Sequence, residues 1–239
     1  MNIILFDDIP KFLSYSDERA RHIRKVLGLR TGDTFRAGIL NGPVGTIEIL
    51  GSDNEGYKIE WTETGPPVDL YPITMITGFV RPISAKRILR EAASLGVGRL
   101  VFTVTDTGER SYLKANLWKT GEFREYLKNG LQTAGATVLP QVDLCAGVRE
   151  AVGKALEGSG EPVLLVMDNR AGRRRISDLN LKGRQVIYGI GPERGWSDRE
   201  RELFFQAGFE PVLMGSRILR TETACSAATG LLLQGMDLV

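Results

Sequence analysis

Apolar and polar positions follow two different rhythms along the chain. From residue 31 to 63, "TGDTFRAGILNGPVGTIEILGSDNEGYKIEWTE" sets short β-prone runs between Gly, Asn and Asp turns, which predicts a small antiparallel barrel. Just before it, "SDERARHIRKVLGL" places Ala20, Ile23, Val26 and Leu27 at helical spacing, with Arg19, Arg21, Arg24 and Lys25 mostly on the other faces. One amphipathic helix is predicted there. After "TETGPPVDLYP" the rhythm changes. "ITMITGFV", "RLVFTVT", "PVLLVMD", "QVIYGIG" and "EPVLMG" are apolar enough for strands buried on both faces. Between them run the helical patterns "SAKRILREAASLG", closed by Gly96, a stretch within Asn116 to Thr133, "VREAVGKALEG" and "SDRERELFFQAG", with a last helix from near Thr221. Strands alternating with helices predict an α/β unit around a parallel sheet. Gly65, Pro66 and Pro67 suit an extended linker, so the reading is two domains, 1–68 and 72–239.

Composition narrows the chemistry. The chain has 239 residues, 42% hydrophobic and 25% charged, as in an ordinary globular protein with ample core. Its opening, "MNIILFDDIPKFLSYSDE", has no basic region before the apolar run, and no apolar stretch matches a membrane span, so the expectation is a cytoplasmic protein without membrane contact. Two cysteines imply no disulfide framework. A single histidine leaves no His/Cys zinc site to expect, no metal, and only His22 for any histidine triad. The net charge of +2 is silent about nucleic acid, but local clusters are not. Arg21, Arg24, Lys25 and Arg30 gather near the N-terminal helix, and Arg173 and Arg174 belong to "GRRR". Each cluster reads either as a phosphate contact or as a solvated face.

Two loops follow consecutive strands. In "GIGPERGWSDRE", Ser197 and Glu200 have capping-box spacing, so strand, glycine loop and helix N-terminus would bring backbone N–H groups to a ligand. Gly189, Gly191 and Gly195 only approximate a dinucleotide fingerprint: Pro192 removes a donor, and the next strand ends without the acid that holds a ribose. In "GSRILRTET", Thr221 has the chemistry of a helix cap and Glu222 complements the dipole of the first turn. The helix behind it, with Ala224, Cys225, Ser226, Ala227, Ala228 and Gly230, is slim enough to be buried. The loop carrying Arg217, Arg220 and Glu222 then stands at the rim of a buried site.

Taken together, "LLVMD", "IGPERGWSDRE" and "LMGSRILRTETA" resemble the C-terminal signature of the SPOUT methyltransferases, above all the family that methylates N3 of a uridine in small-subunit (16S) ribosomal RNA. "HIRKVLGLRTGD" resembles the start of that family's PUA-like barrel, so the likeness covers nearly the whole chain. It implies a small N-terminal PUA-like β-barrel that binds RNA and a C-terminal SPOUT domain whose parallel sheet contains a deep trefoil knot. It also implies bent S-adenosylmethionine in the knot and a homodimer with the active site near its interface. By position, the cofactor would touch Met167, Gly191, Pro192, Glu193, Gly195, Leu213, Met214, Ile218, Leu219 and Arg220. Ribosomal RNA or the small subunit would be the partner, met by the two basic clusters.

On that reading the uridine imide loses its N3 proton and the negative charge needs a cationic neighbour, for which Arg220 is the first candidate. Glu222 would orient Arg220 or act as base. The alternative for both is a salt bridge tying loop to helix. The chain also departs from the family pattern. Arg194 stands where a glycine is usual, Glu91 and Ser94 replace a lysine and a glutamate, and the segment Gln132 to Ala136 lacks its arginine. The opening lacks an arginine too, and Gly28 follows "VL" where another is usual. These residue types handle RNA, so three other readings stay open: a ribosome-assembly factor that has lost methyl transfer, methylation of a different RNA position, and a nucleotide-dependent enzyme that uses the glycine loop differently.

Overall fold

A computed structural model of the chain describes residues 2–239. The backbone forms two compact units, one comprising the residues up to Asp69 together with Leu131–Leu139, the other comprising Leu70–Gly130 and Pro140–Val239.

The first unit contains β1 (Ile4–Phe6), β2 (Phe12–Ser14), α1 (Glu18–His22), β3 (Thr34–Ile39), β4 (Val44–Ser52) and β5 (Gly56–Gly65). Its strands run in the order β1-β3-β4-β5-β2. All pairings are antiparallel except β1 with β3, which is parallel. Ile4 and Phe6 at one end of this sheet share a core with Leu13 at the other and with Ala20 and Ile23, so the sheet curls around α1. Asp17 caps α1 by accepting from the Arg19 N–H at 2.8 Å. The predicted four-residue stripe is only half buried. Ala20 and Ile23 are fully enclosed, but Val26 is 68% exposed and Leu27 40% exposed. The helix widens into a π turn over Ile23–Leu27, closed by Gly28 at φ +67°, and the wider turn rotates the later positions off the buried face.

Residues 131–139 belong to this unit through specific contacts. The Thr137 hydroxyl donates to the Gly42 carbonyl at 2.7 Å, and the Leu139 N–H donates to Asn41 Oδ1 at 2.9 Å. The Thr137 methyl lies where a Cβ on Gly38 would have to go, at 2.5 Å, so only glycine admits the segment.

The second unit contains β6 (Tyr71–Gly78), α2 (Pro82–Ser94), β7 (Val97–Thr103), α3 (Asn116–Lys119) and α4 (Phe123–Ala134), the last running into the 131–139 segment. It continues with β8 (Gln141–Cys145), α5 (Val148–Leu156), β9 (Val163–Met167), β10 (Arg174–Arg175) and β11 (Val186–Ile190). α6 (Asp198–Gln206), β12 (Glu210–Leu213) and α7 (Thr221–Gly235) complete it. Seven strands form one fully parallel sheet in the order β10-β12-β9-β11-β6-β7-β8. β11 is buried along its whole length, as its unbroken apolar run requires. β8, with alternating polar residues, and β10, made of two arginines, sit at the sheet edges and give no strand signal in the pattern. α7 packs against β11, where the Tyr188 hydroxyl meets Thr229 Oγ1 at 2.7 Å. Complete burial pushes the Tyr188 phenol well above its ordinary range.

Candidate cofactor and substrate site

β12, β9 and β11 are neighbours and parallel, so the loops after them leave the same edge of the sheet. A crevice beyond the carboxyl ends of parallel strands is where open α/β sheets bind ligands. Here the three loops line a cavity of about 790 Å³. Met167, Gly191, Pro192, Glu193, Gly195, Met214, Ile218, Leu219 and Arg220 all line it. Leu213 does not: it ends β12 opposite Arg175, and its side chain is turned towards Gly172.

The loop after β11 is shaped by backbone. The Gly195 N–H donates to the Pro192 carbonyl at 2.8 Å, closing a tight turn in which Gly195 holds φ +69°. A Cβ on Gly191 would stand 2.7 Å from the Gly195 Cα. Ser197 and Glu200 make the predicted capping box at the start of α6. Glu200 does more than cap. It is 1% exposed, with Oε2 accepting from the Ser197 N–H at 2.7 Å and Oε1 from the Asp106 N–H at 2.8 Å, in the loop after β7. Asp106 in turn accepts from the Ser197 hydroxyl at 2.6 Å and from Arg199. The Arg199 guanidinium first, then the Ser197 hydroxyl, hold its carboxyl below the usual range. The next residue, Thr107, donates its hydroxyl to the Gly195 carbonyl at 2.6 Å.

The loop after β12 is exposed from Gly215 to Arg220. Arg220, in extended conformation, is the N-cap residue of α7, and Thr221 is already helical, so the expected threonine cap is not formed. The buried Thr221 hydroxyl is directed instead to the Gly191 carbonyl, at 3.4 Å, joining the two loops. Glu222 does not pair with Arg220. Its Oε1 is 3.6 Å from Nη1 of Arg87 on α2. Among the described residues, the guanidinia of Arg194, Arg217 and Arg220 have no intramolecular acceptor, and all three line the cavity.

Several lining residues were not anticipated, among them Arg81, Ser84, Trp196, Asp168 and Arg201. Asp168 is 5% exposed. Its Oδ1 accepts from the N–H groups of Arg170 and Ala171 at 2.7 and 2.9 Å, and its Oδ2 from Nε of Arg201 at 2.6 Å. An aspartate at a strand end is visible in "LLVMD", but its partner lies on another helix and no spacing rule joins them.

The basic clusters differ in how free they are. In the first unit Arg21, Arg24, Lys25 and Arg30 are all exposed. Arg21 donates to the Ser16 carbonyl at 3.3 Å, and Arg24 lies 5.0 Å above the Tyr15 ring. In the second unit, Arg173 donates to the carbonyls of Arg170, Ala171 and Gly172, while Arg174 pairs with Glu210 at 3.1 Å and donates to the Asp178 carbonyl. Those two guanidinia already serve internal acceptors.

Comparison with known proteins agrees with this geometry. Residues 67–233 match the model of the RNA methyltransferase domain family. The chain is 37% identical to ribosomal RNA small subunit methyltransferase E of Treponema pallidum, over 98% of this chain and 91% of that protein. It is 30% identical to ribosomal RNA small subunit methyltransferase E 1 of Borreliella burgdorferi, over 96% of each. Among solved structures, its fold is similar to that of ribosomal RNA small subunit methyltransferase E from Neisseria gonorrhoeae bound to S-adenosyl methionine. The TM-score is 0.78 and the identity 23%, with 98% and 97% of the two chains covered. A methyltransferase from Legionella pneumophila, solved with S-adenosylmethionine, gives the same TM-score at 20% identity and the same coverage. With a parallel sheet whose glycine loop and arginine loop share one cavity, and with these relatives along nearly its full length, the chain belongs to the RNA methyltransferase domain family of the ribosomal RNA small subunit methyltransferase E type.

Proposed function

We propose that this chain transfers a methyl group from S-adenosylmethionine to N3 of a uridine in small-subunit ribosomal RNA, working as a homodimer with a trefoil knot around the cofactor. The observation that carries this reading is the single cavity built by the loops after β9, β11 and β12. Its volume falls in the range of about 300–1,000 Å³ usual for small-molecule sites. Met167, Ile190, Met214, Ile218 and Leu219 give it apolar walls, and the glycine-rich turn lets backbone come close, so the residues suit a nucleoside carrying a sulfonium. The bound cofactor supplies an electrophilic methyl carbon.

The chain's own residues then have to orient the base in line with that carbon and stabilise the charge of the deprotonated imide. Arg220 fits the second task because it lines the cavity and its guanidinium has no acceptor among the described residues. Arg194 and Arg217 are equally free and suit the phosphates beside the target base. Glu222, paired with Arg87, supports the first turn of α7 and its contact with α2. Arg21, Arg24, Lys25 and Arg30 are the proposed RNA contacts of the first unit, whereas the engaged Arg173 and Arg174 would have to exchange partners to join them.

The test is methyl transfer from labelled S-adenosylmethionine to small subunits from cells lacking the protein, followed by mapping of the modified nucleotide. Label at one uridine N3 is the expected result. Binding of both cofactor and subunit without transfer would favour an assembly factor, and label elsewhere would reassign the nucleotide.

A further inference from the structure

Resting on the cofactor reading above, we propose that Thr107, in the loop after β7, is a positioning residue for the cofactor loop: it turns the peptide between Gly195 and Trp196 so that the Trp196 N–H is offered to an acceptor on the bound ligand. Three successive backbone N–H groups carry the argument. The Gly195 N–H is used by the Pro192 carbonyl and the Ser197 N–H by Glu200 Oε2. Between them, the Trp196 N–H has no acceptor among the described residues. In a trans peptide, C=O and N–H point in opposite directions, and the chain has no cis bonds among its described residues. The Gly195 carbonyl is drawn to the Thr107 hydroxyl at 2.6 Å, and Thr107 is not part of the cavity wall, whereas Gly191, Gly195 and Trp196 are. The N–H therefore faces away from Thr107. Glycine at 191 lets its own backbone lie against this peptide, since a Cβ there would come 2.9 Å from the Gly195 carbonyl carbon and 3.0 Å from the Trp196 nitrogen.

Thr107 itself is held in place. Its neighbour Asp106 is fixed at the backbone by the buried Glu200 and at the carboxylate by Ser197 and Arg199. The β7 loop thus braces the turn from outside the cavity, and the hydroxyl holds the carbonyl of this peptide between neighbours whose N–H groups are already engaged. Serine keeps that hydroxyl, and valine keeps the shape without it. Because Thr107 is only partly buried, both variants should fold.

Calorimetry with S-adenosylmethionine, on wild type, Thr107→Val and Thr107→Ser, tests the proposal. The valine variant should bind about tenfold more weakly, as for one hydrogen bond lost. Serine should stay within about twofold of wild type. In methyl-transfer assays the valine effect should fall on KM for the cofactor, with kcat at saturation retained. A valine variant that binds like wild type overturns the proposal, as does a serine variant as weak as valine. Wild type that fails to bind S-adenosylmethionine overturns the functional reading instead. The brace is then judged in the ligand-free protein, where Thr107→Val should shift the Trp196 amide resonance and Thr107→Ser should not; an unmoved resonance in the valine variant rules the brace out.

Discussion

At Gly191 a single missing methyl group decides whether two stretches of backbone can meet. Any Cβ there would press on the backbone of Gly195 and Trp196, where Gly195 is pinned by the Pro192 carbonyl and the Thr107 hydroxyl, so nothing nearby yields cheaply. Gly191→Val should therefore open the turn and weaken S-adenosylmethionine binding at least tenfold, while α6 and the sheet stay folded. Calorimetry alongside far-UV circular dichroism checks this, and full affinity in the folded variant would remove the turn from the site. Arg220 makes the opposite kind of case, since its guanidinium has no acceptor among the described residues. Arg220→Ala should leave thermal stability and RNA binding unchanged and reduce turnover by about a hundredfold, the scale of one lost charge-stabilising donor. Arg220→Lys should recover part of that loss, because it keeps the charge without the planar fork. Wild-type turnover in the alanine variant would move the stabilising role to Arg194 or Arg217. Both residues could be picked out in the sequence from their motifs. The partner of Glu222 could not, because Arg87 lies on a helix 135 positions away and the two meet only through the packing of α2 on α7.

Helices and strands were legible wherever one period ran unbroken. β11 and β9 are continuous apolar runs, and the capping box announced α6. The pattern misled at α1, because a π turn adds backbone per turn without any change in residue type, and Val26 and Leu27 rotate outward as a result. That error has a functional side: the exposed turn carries Arg24 and Lys25 on a surface with Arg21 and, a few residues later, Arg30. Replacing Arg21 and Arg24 together by glutamate should weaken RNA binding and flatten its dependence on salt, with cofactor affinity unchanged. A filter-binding series across salt concentrations measures the slope, and an unchanged slope would make this face ordinary solvated surface. β10 shows the converse limit, for two arginines become a strand only because Glu210 and the edge of β12 are there to receive them.

For the whole molecule, burial governs the two thiols. Both cysteines are free and buried, with Cys145 raised to about 11 and Cys225 to about 12, in each case mainly by loss of solvent. At pH 8 the native protein should resist thiol-specific alkylation almost completely, and both sites should react once guanidinium unfolds it. Reaction of both at the unfolded rate in native buffer would contradict the burial. The same raised values fix a sign for stability. Unfolded thiols ionise near pH 8.5. The stabilisation from keeping the native thiols protonated is thus complete below that pH and is lost as pH rises towards 11 to 12. An alkaline series of denaturation midpoints should fall above about pH 9 accordingly.

The assignment of residues 131–139 to the first unit was beyond any reading of contiguous sequence, because Thr137 and Leu139 lie 95 and 98 positions from Gly42 and Asn41, their partners in the sheet they complete. It has a consequence for how the protein comes into being. Residues 2–69 are made before the pieces that cover Gly38 and satisfy Gly42 and Asn41, which follow only after β6 and β7 of the other unit. The N-terminal part must wait, unfinished, while the chain beyond it is still being translated. A gene fragment ending at the linker would encode the same incomplete body, whereas a graft that carries 131–139 on a short tether would encode a whole one.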